Sequence, residues 1–331
     1  MRIGYEDGIY IEGGGGRIAL DASKMPHCQA ALVTHAHWDH SKAFRFAGLE
    51  KASTKATLEF VRMSQRDVSG WIRIEAGQSL EIGGFHIEAH NAGHILGSVQ
   101  YELRSDRYTV VYTGDVNLED TLISRAAEPI PCDVLVIEAT YGHPSHNRPP
   151  REDVINGMVE WAIRTIRGGQ TPVLYADGLG NSQELISIFN RYTKIPVVVH
   201  GRIAKLSQIY KAHGFPLEFI DAKDLEAEGV DRSDHIVLLP KGSRFRLAKE
   251  HRPALASGWD GIAGGGMEAF PLSDHADFGS LMRYVEGSSP SFVLTVHGGP
   301  YDWVLAKAIE RGFGVGARPI SAGPHEVKGR R

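Results

Sequence analysis

Short runs of apolar residues open the chain. Ile9, Tyr10 and Ile11 follow Gly8, and Ile18, Ala19 and Leu20 follow Arg17, so two β-rich segments flank Gly13 to Gly16 and predict a hairpin. The glycines then form its turn. A phosphate-cradling loop would need a helix directly after them, and the residues after Gly16 have strand character. Residues 30–34 form a short apolar strand that runs into a histidine cluster, and a helix is expected over 41–48. Further β-rich runs lie at 79–82, 85–89, 98–103, 108–112 and 134–137, with histidine and aspartate at several strand ends.

Beyond Glu138 the pattern changes. Asn147, Arg148, Pro149 and Pro150 make a turn-rich junction, and Val154, Met158, Trp161, Ala162 and Ile166 have helical spacing over 151–167. A strand at 172–175, a helix at 182–190, a strand at 197–199, a helix at 203–211 and a strand at 235–239 then alternate, which implies a small parallel α/β sheet. A strand at 291–296 and a helix at 303–311 come next, and the tail at 328–331 is expected to fray. The domain organisation expected from this is a first part at 1–148, an insert at 149–253 and a second part at 254–331.

Composition narrows the class. The 331 residues hold 36 Lys plus Arg and 40 Asp plus Glu, a net charge of −4, with 42% hydrophobic and 23% charged residues. At roughly 150 residues per domain this suggests about two compact units of a soluble globular protein, and it excludes disorder and collagen-like repeats. No window approaches the ~18 continuous apolar residues of a membrane span, and the first residues do not begin a signal peptide, so no membrane partner and a cytoplasmic location are expected. Cys28 and Cys132 are too few for a disulfide framework and are expected as buried free thiols, which also disfavours zinc held by thiolates. The small negative charge excludes binding of nucleic acid through bulk positive charge but leaves room for a local basic groove. A homo-oligomer is compatible with all of this.

The strongest chemical signal is His35-Ala36-His37-Trp38-Asp39-His40, three imidazoles and a carboxylate within six positions at a strand end. Imidazole nitrogens and carboxylate oxygens are the ligand set of zinc and related divalent ions, and alternate residues of an extended loop put His35 and His37 on one side. A complete site needs further ligands. His94 and Asp115 qualify, each at a later strand end and each preceded by a glycine that permits close backbone approach.

In this arrangement the sequence resembles the metallo-β-lactamase superfamily, with Asp21 ending an early strand, then His35 to His40, His94 and Asp115 in the expected order. The resemblance implies an α/β fold, a four-layer αβ/βα sandwich with a binuclear metal site at the edge of its two sheets. Three later motifs resemble those of the β-CASP nucleases: Val136 to Gly142 around Glu138, Leu272 to Asp277 around His275, and Thr295 to Gly299 around His297. Gly180-Asn181-Ser182-Gln183-Glu184-Leu185 resembles an element of their inserted small parallel α/β domain, with Asn181 where arginine is common.

The resemblance implies two divalent ions, zinc foremost and manganese as the alternative. The first would be held by His35, His37, His94 and Asp115, the second by Asp39, His40, Asp115 and His297, with Asp115 bridging. His275 would protonate the leaving oxygen, and Glu138 would fix its ring; Asp39 and Asp21 complete the catalytic set. Asp21 would orient ligands without binding metal, and a turn cap after a strand is its plainer reading.

A nuclease must also hold a polyanion. Lys241, Arg244, Arg246, Lys249 and Arg252 against the single Glu250 give +4 over twelve residues, a candidate groove for a single strand between domains or else an exposed helix with a solvated face. Asn181 and Ser182, opening a helix, are candidates for contact with a phosphate or for a simple N-cap.

The expected partner is single-stranded nucleic acid. RNA is favoured because His297 is the residue found at that motif in RNA-processing relatives, and DNA is the alternative because the segments around Glu138, Ser257-Gly258-Trp259 and Ser273 to Asp277 look like exonucleases associated with DNA ligases, which also keep the histidine. Exonuclease action is preferred over endonuclease, since the compact chain carries no extra module for site choice. Two other classes remain. A small-molecule metallo-hydrolase would not need Glu138, His275 or the insert, and a non-catalytic scaffold would normally have lost some of the seven candidate ligands.

Overall fold

A computed structural model describes residues 1–64, 68–105, 107–225, 234–258 and 267–327. Trp259 and the tail at 328–331 lie outside the described residues. The chain divides into two compact units, one of residues 1–120, 125–147 and 275–331, the other of 121–124 and 148–274.

Among its described residues the first unit holds two seven-stranded sheets. In spatial order the first contains His325–Glu326, Arg2–Tyr5, Ile9–Gly13, Gly16–Leu20, Ala30–Leu32, Glu50–Ser53 and Trp71–Arg73. The second contains Gly316–Pro319, Phe292–Val296, Val134–Glu138, Thr109–Tyr112, Val99–Arg104, Phe85–Asn91 and Ser79–Ile82. Each is antiparallel at one end and parallel at the other.

Strand periodicity explains how the sheets stack. Ile18 and Leu20, Val134 and Val136, and Leu294 and Val296 point into one core between the sheets. Their alternates Leu135, Ile137 and Val293 face Leu281, Tyr284, Leu305 and Ile309 of the helices Phe278–Ser288 and Pro300–Phe313. On the far side Ala19, Ala31 and Val33 pack with Phe44, Leu58 and Val61 of the short turn Lys42–Arg45 and the helix Lys55–Arg62. A period of two therefore yields four layers, helix, sheet, sheet, helix. Each fully buried aliphatic side chain contributes about 1.5–3 kcal/mol. Tyr101 ties the layers, its hydroxyl donating across from the second sheet to the Val33 carbonyl of the first at 3.1 Å.

The helix expected over 41–48 is shorter in the structure, one turn at Lys42–Arg45. Phe46 turns extended and Gly48 takes φ +75°, because the chain must re-enter the sheet at Glu50. The expected hairpin turn is present, with Gly13 paired to Gly16 across Gly14 and Gly15. Both cysteines are free, but they are half-buried rather than buried.

Among its described residues the second unit has a six-stranded sheet with parallel pairings, in the order Ile220–Asp221, Val197–Val199, Ile236–Pro240, Thr171–Ala176, His251–Ala256 and Glu268–Phe270. Helices Arg151–Arg167, Asn181–Tyr192 and Gly201–Ala212 intervene along the chain. Gln183 and Glu184 are buried there. Gln183 donates to the Gly178 carbonyl and the Ser207 hydroxyl, each at 3.1 Å, and Glu184 is gripped by the Arg151 guanidinium, which also donates to the Ser273 carbonyl at 3.0 Å. Among the described residues no helix is long and apolar enough to cross a membrane.

Candidate metal centre

The polar residues singled out in the first unit gather at the carboxyl ends of its strands, the edge where α/β sheets place ligands. Asp21 follows Gly16–Leu20, the His35 to His40 loop follows Ala30–Leu32, His94 follows Phe85–Asn91, Asp115 follows Thr109–Tyr112, Glu138 ends Val134–Glu138, and His297 follows Phe292–Val296. Glycine makes two of these approaches feasible. A Cβ on Gly114 (φ +54°) would lie 2.8 Å from Thr34, and one on Gly93 (φ +72°) only 2.2 Å from the Asn117 carbonyl oxygen.

Asp115 is the hub. Its Oδ2 lies 3.4 Å from His35 Nε2, 3.4 Å from His40 Nε2, 3.8 Å from His94 Nε2 and 4.0 Å from His275 Nε2. His35, His37, His94 and Asp115 each bring a ligand atom within 4.8 Å of the others, and His94 Nε2 stands 3.1 Å from His37 Nδ1. The companion set is more open. Asp39 Oδ2, on a side chain 71% exposed, is 3.6 Å from His40 Nε2, and the His40 and His297 rings are 4.7 Å apart. His297 faces the Tyr112 hydroxyl with Nε2, at 3.1 Å.

Behind these stands a second layer of bonds. Asp21 accepts from the Thr34 amide and hydroxyl, both at 2.8 Å, and from the Tyr112 hydroxyl at 2.9 Å, and it pairs with His40 Nδ1 at 2.8 Å. Those bonds orient His40 with Nε2 toward Asp115. Asp21 and His297 are both held at positive φ, 48° and 65°, strain that the surrounding bonds sustain. Thr34 and Tyr112 join the candidate site through these bonds without a signal in the sequence, since one reads as the end of an apolar strand and the other as an alternating core residue. Glu138, fully buried, accepts from the Val116 amide at 2.6 Å and lies 3.1 Å from His275 Nδ1.

Burial sets the electrostatics. Desolvation drives the His35 imidazole well below its usual range, and the neighbouring His40 charge pushes the same way. Burial works against charge on His40 as well, but the Asp115 and Asp21 carboxylates outweigh it and raise its pKa to about 10. Desolvation would raise Asp115, yet the imidazoles, His40 and His275 foremost, hold it well below the usual carboxylate range. The imidazoles therefore favour the ionised form of Asp115, and the carboxylates the charged form of His40.

The residues fit a divalent ion. His35 Nε2 and Asp115 Oδ1 are buried without a hydrogen-bond partner, a costly state for atoms that are ordinary metal donors. Nitrogen and oxygen donors without thiolate suit zinc or manganese.

The candidate nucleic-acid residues lie in the second unit. Asn181 and Ser182 are buried in the first turn of their helix, whose N-cap is Gly180. Ser182 donates from both its amide, at 3.1 Å, and its hydroxyl, at 2.6 Å, to the Asp177 carbonyl, and Asn181 Nδ2 is 3.4 Å from Asp177 Oδ2. The basic run forms no helix; it is turn and irregular chain that enters the strand His251–Ala256. Lys241, Arg244, Arg246, Lys249 and Arg252 are exposed, but Lys241 Nζ is 2.7 Å from Asp177 Oδ2 and Arg252 is 3.7 Å from Glu268.

Residues 17–171 match the family described as the beta-lactamase superfamily domain. Over 281 residues, 81% of this chain, it is 32% identical to a probable DNA ligase of Opitutus terrae, covering 26% of that protein. Over 242 residues, 62% of this chain, it is 26% identical to an RNase J-like protein of Methanocaldococcus jannaschii, covering 58% of that one. The chain thus spans between about a quarter and three fifths of the curated relatives it matches here. A crystal structure of an Enterococcus faecalis protein of unknown function superposes with a TM-score of 0.69 at 13% identity, over 98% of this chain and 99% of the other, a likeness of fold.

Proposed function

Because this chain carries a metallo-β-lactamase domain and has homologues in the β-CASP family, we propose that it is a metal-dependent nuclease that hydrolyses phosphodiester bonds in single-stranded nucleic acid. The observation that carries the reading is the pairing of His275 with buried Glu138 on one side and Asp115 on the other. A small-molecule hydrolase needs the metal centre but has no use for that pair.

His35, His37, His94 and Asp115 would hold one dication, and Asp39, His40, Asp115 and His297 the second. When bound, such a pair supplies hydroxide at neutral pH and neutralises charge on the phosphoryl group. Glu138 holds His275 through Nδ1, 3.1 Å away, so that Nε2, 4.0 Å from Asp115, is the atom left to face the substrate. As the new P–O bond forms and the old one breaks, His275 Nε2 gives its proton to the leaving oxygen, and Glu138 favours the charged imidazole that can do so. Asp21 keeps His40 in register.

RNA is the expected strand on the strength of His297 and the RNase J-like relative. A DNA exonuclease of the ligase-associated type is the second reading, and the probable DNA ligase favours it with an alignment that spans more of this chain, 81% against 62%. The deciding experiment is digestion of end-labelled RNA and DNA single strands of one sequence with added zinc or manganese, beside Asp39→Ala and His40→Ala controls. Cutting that the controls lack is expected, and the product ladder reports sugar and direction together. His275→Ala should slow it by about 10²–10⁴-fold. Protein with both metals bound that cuts neither strand, or a His275→Ala variant of full activity, overturns the reading.

A further inference from the structure

We propose that Trp38, with Arg45 beside it, is a nucleobase-stacking subsite at the rim of the metal centre, a reading that rests on the nuclease assignment. Trp38 stands in the chain between His37 and Asp39. The amides of His40 and Ser41 both donate to the His37 carbonyl, at 3.1 and 3.0 Å, so residues 38 and 39 form the tip of a tight turn. The turn is anchored from below by His35 and His40, which are buried, and it leaves Trp38 54% exposed. The Arg45 guanidinium lies over the indole, 5.5 Å from its centroid.

A single exposed apolar side chain is ordinary on a protein surface. Position sets this one apart. Trp71 in the same unit is half-buried and donates its indole N–H to Ser53 Oγ at 3.0 Å, whereas Trp38 is exposed, one residue from two candidate ligands, with the Arg45 guanidinium over its ring. Because the turn is already fixed, binding there costs little conformational entropy. The group that matches is flat, aromatic and tethered to a phosphodiester: the nucleobase beside the bond being cut. Stacking on tryptophan accepts any base, and the adjacent guanidinium carries charge suited to the neighbouring phosphate.

The test compares wild type, Trp38→Ala and Trp38→Phe on a set of single strands, each with one abasic nucleotide at a successive position from the cleaved end. On intact strands Trp38→Ala should raise KM about tenfold with kcat nearly unchanged, and Trp38→Phe should recover most of the loss. At one abasic position the wild type should lose the same factor and Trp38→Ala should lose nothing more, because both changes remove one contact. Equal KM for Trp38→Ala and wild type on every strand, or losses that multiply at every position, overturns the subsite while the nuclease reading stands. Loss of bound metal in both variants marks Trp38 as a support of the loop and overturns it too. A wild type that cuts no strand removes the nuclease reading and the subsite together.

Discussion

In the first unit Asp115 sits buried with four imidazole nitrogens within 4.0 Å of one oxygen, whereas in the second unit the run from Lys241 to Arg252 carries five cations in solvent and answers two of them with Asp177 and Glu268. Burial makes the first arrangement exacting. A polar atom removed from water must find a partner, and His35 Nε2 and Asp115 Oδ1, buried without a hydrogen bond, belong to a cluster that could hold a cation. Exposure makes the second permissive, since a solvated lysine needs nothing and a surface ion pair is worth only about 0–1 kcal/mol. The contrast means that a buried polar group is committed by its surroundings, while an exposed cation is not.

Removing the hub should break the first region outright. Asp115→Ala is expected to abolish metal uptake and to lower the cleavage rate by roughly three orders of magnitude or more, the several kcal/mol of barrier that metal activation supplies. Metal content per chain and initial rates on an end-labelled strand check this together. A variant within tenfold of wild type would show that the four imidazoles can work without their common carboxylate.

A smaller effect is expected one step further out. Asp21 accepts from three donors of Thr34 and Tyr112 and pairs with His40, and Asp21→Asn keeps the size while turning one oxygen into an amide donor that faces other donors. Metal affinity, measured by competition with a chelator, should fall by about 10–100-fold, the usual cost of disturbing the residue behind a ligand. An unchanged affinity would mean that the loop alone positions His40 and that Asp21 is a turn residue held at φ +48° for other reasons.

The same contrast explains what could be read from the sequence. The helix Arg151–Arg167 and the strand Val197–Val199 have the bounds expected from their apolar spacing, because each is built from residues whose burial is decided locally. The four layers were expected from the family resemblance alone, and the structure supplies their physical basis: alternate residues such as Val134 and Leu135 are buried in different cores on the two faces of one strand. Local pattern failed where the sheet overrode it: the helix expected from Ser41 onward was cut to one turn by the return to Glu50–Ser53, and the strand His251–Ala256 was hidden under a basic, proline-containing run. In the metal centre His35, His37 and His94 announced themselves by residue type. Tyr112 and Thr34 did not, since a buried hydroxyl that orients a carboxylate has the sequence signature of any strand residue.

The basic loop should give the smallest effect and the sharpest form of the comparison. Arg244 and Lys249 are exposed, while Lys241 is exposed too but paired with Asp177 at 2.7 Å and with the Ser257 hydroxyl at 3.0 Å. If the loop touches phosphates, Arg244→Ala and Lys249→Ala will each weaken single-strand binding only a few-fold, equally for all sequences, and reduce the slope of log affinity against log salt by about one. Rates at saturating strand should not change. Lys241→Ala should alter the slope least, because its charge is already engaged and releases few counterions when a strand binds. Equal slopes for all three variants and wild type would remove the loop from the binding surface, and a fall in kcat for Arg244→Ala would show that the exposed region acts on the reacting phosphate itself.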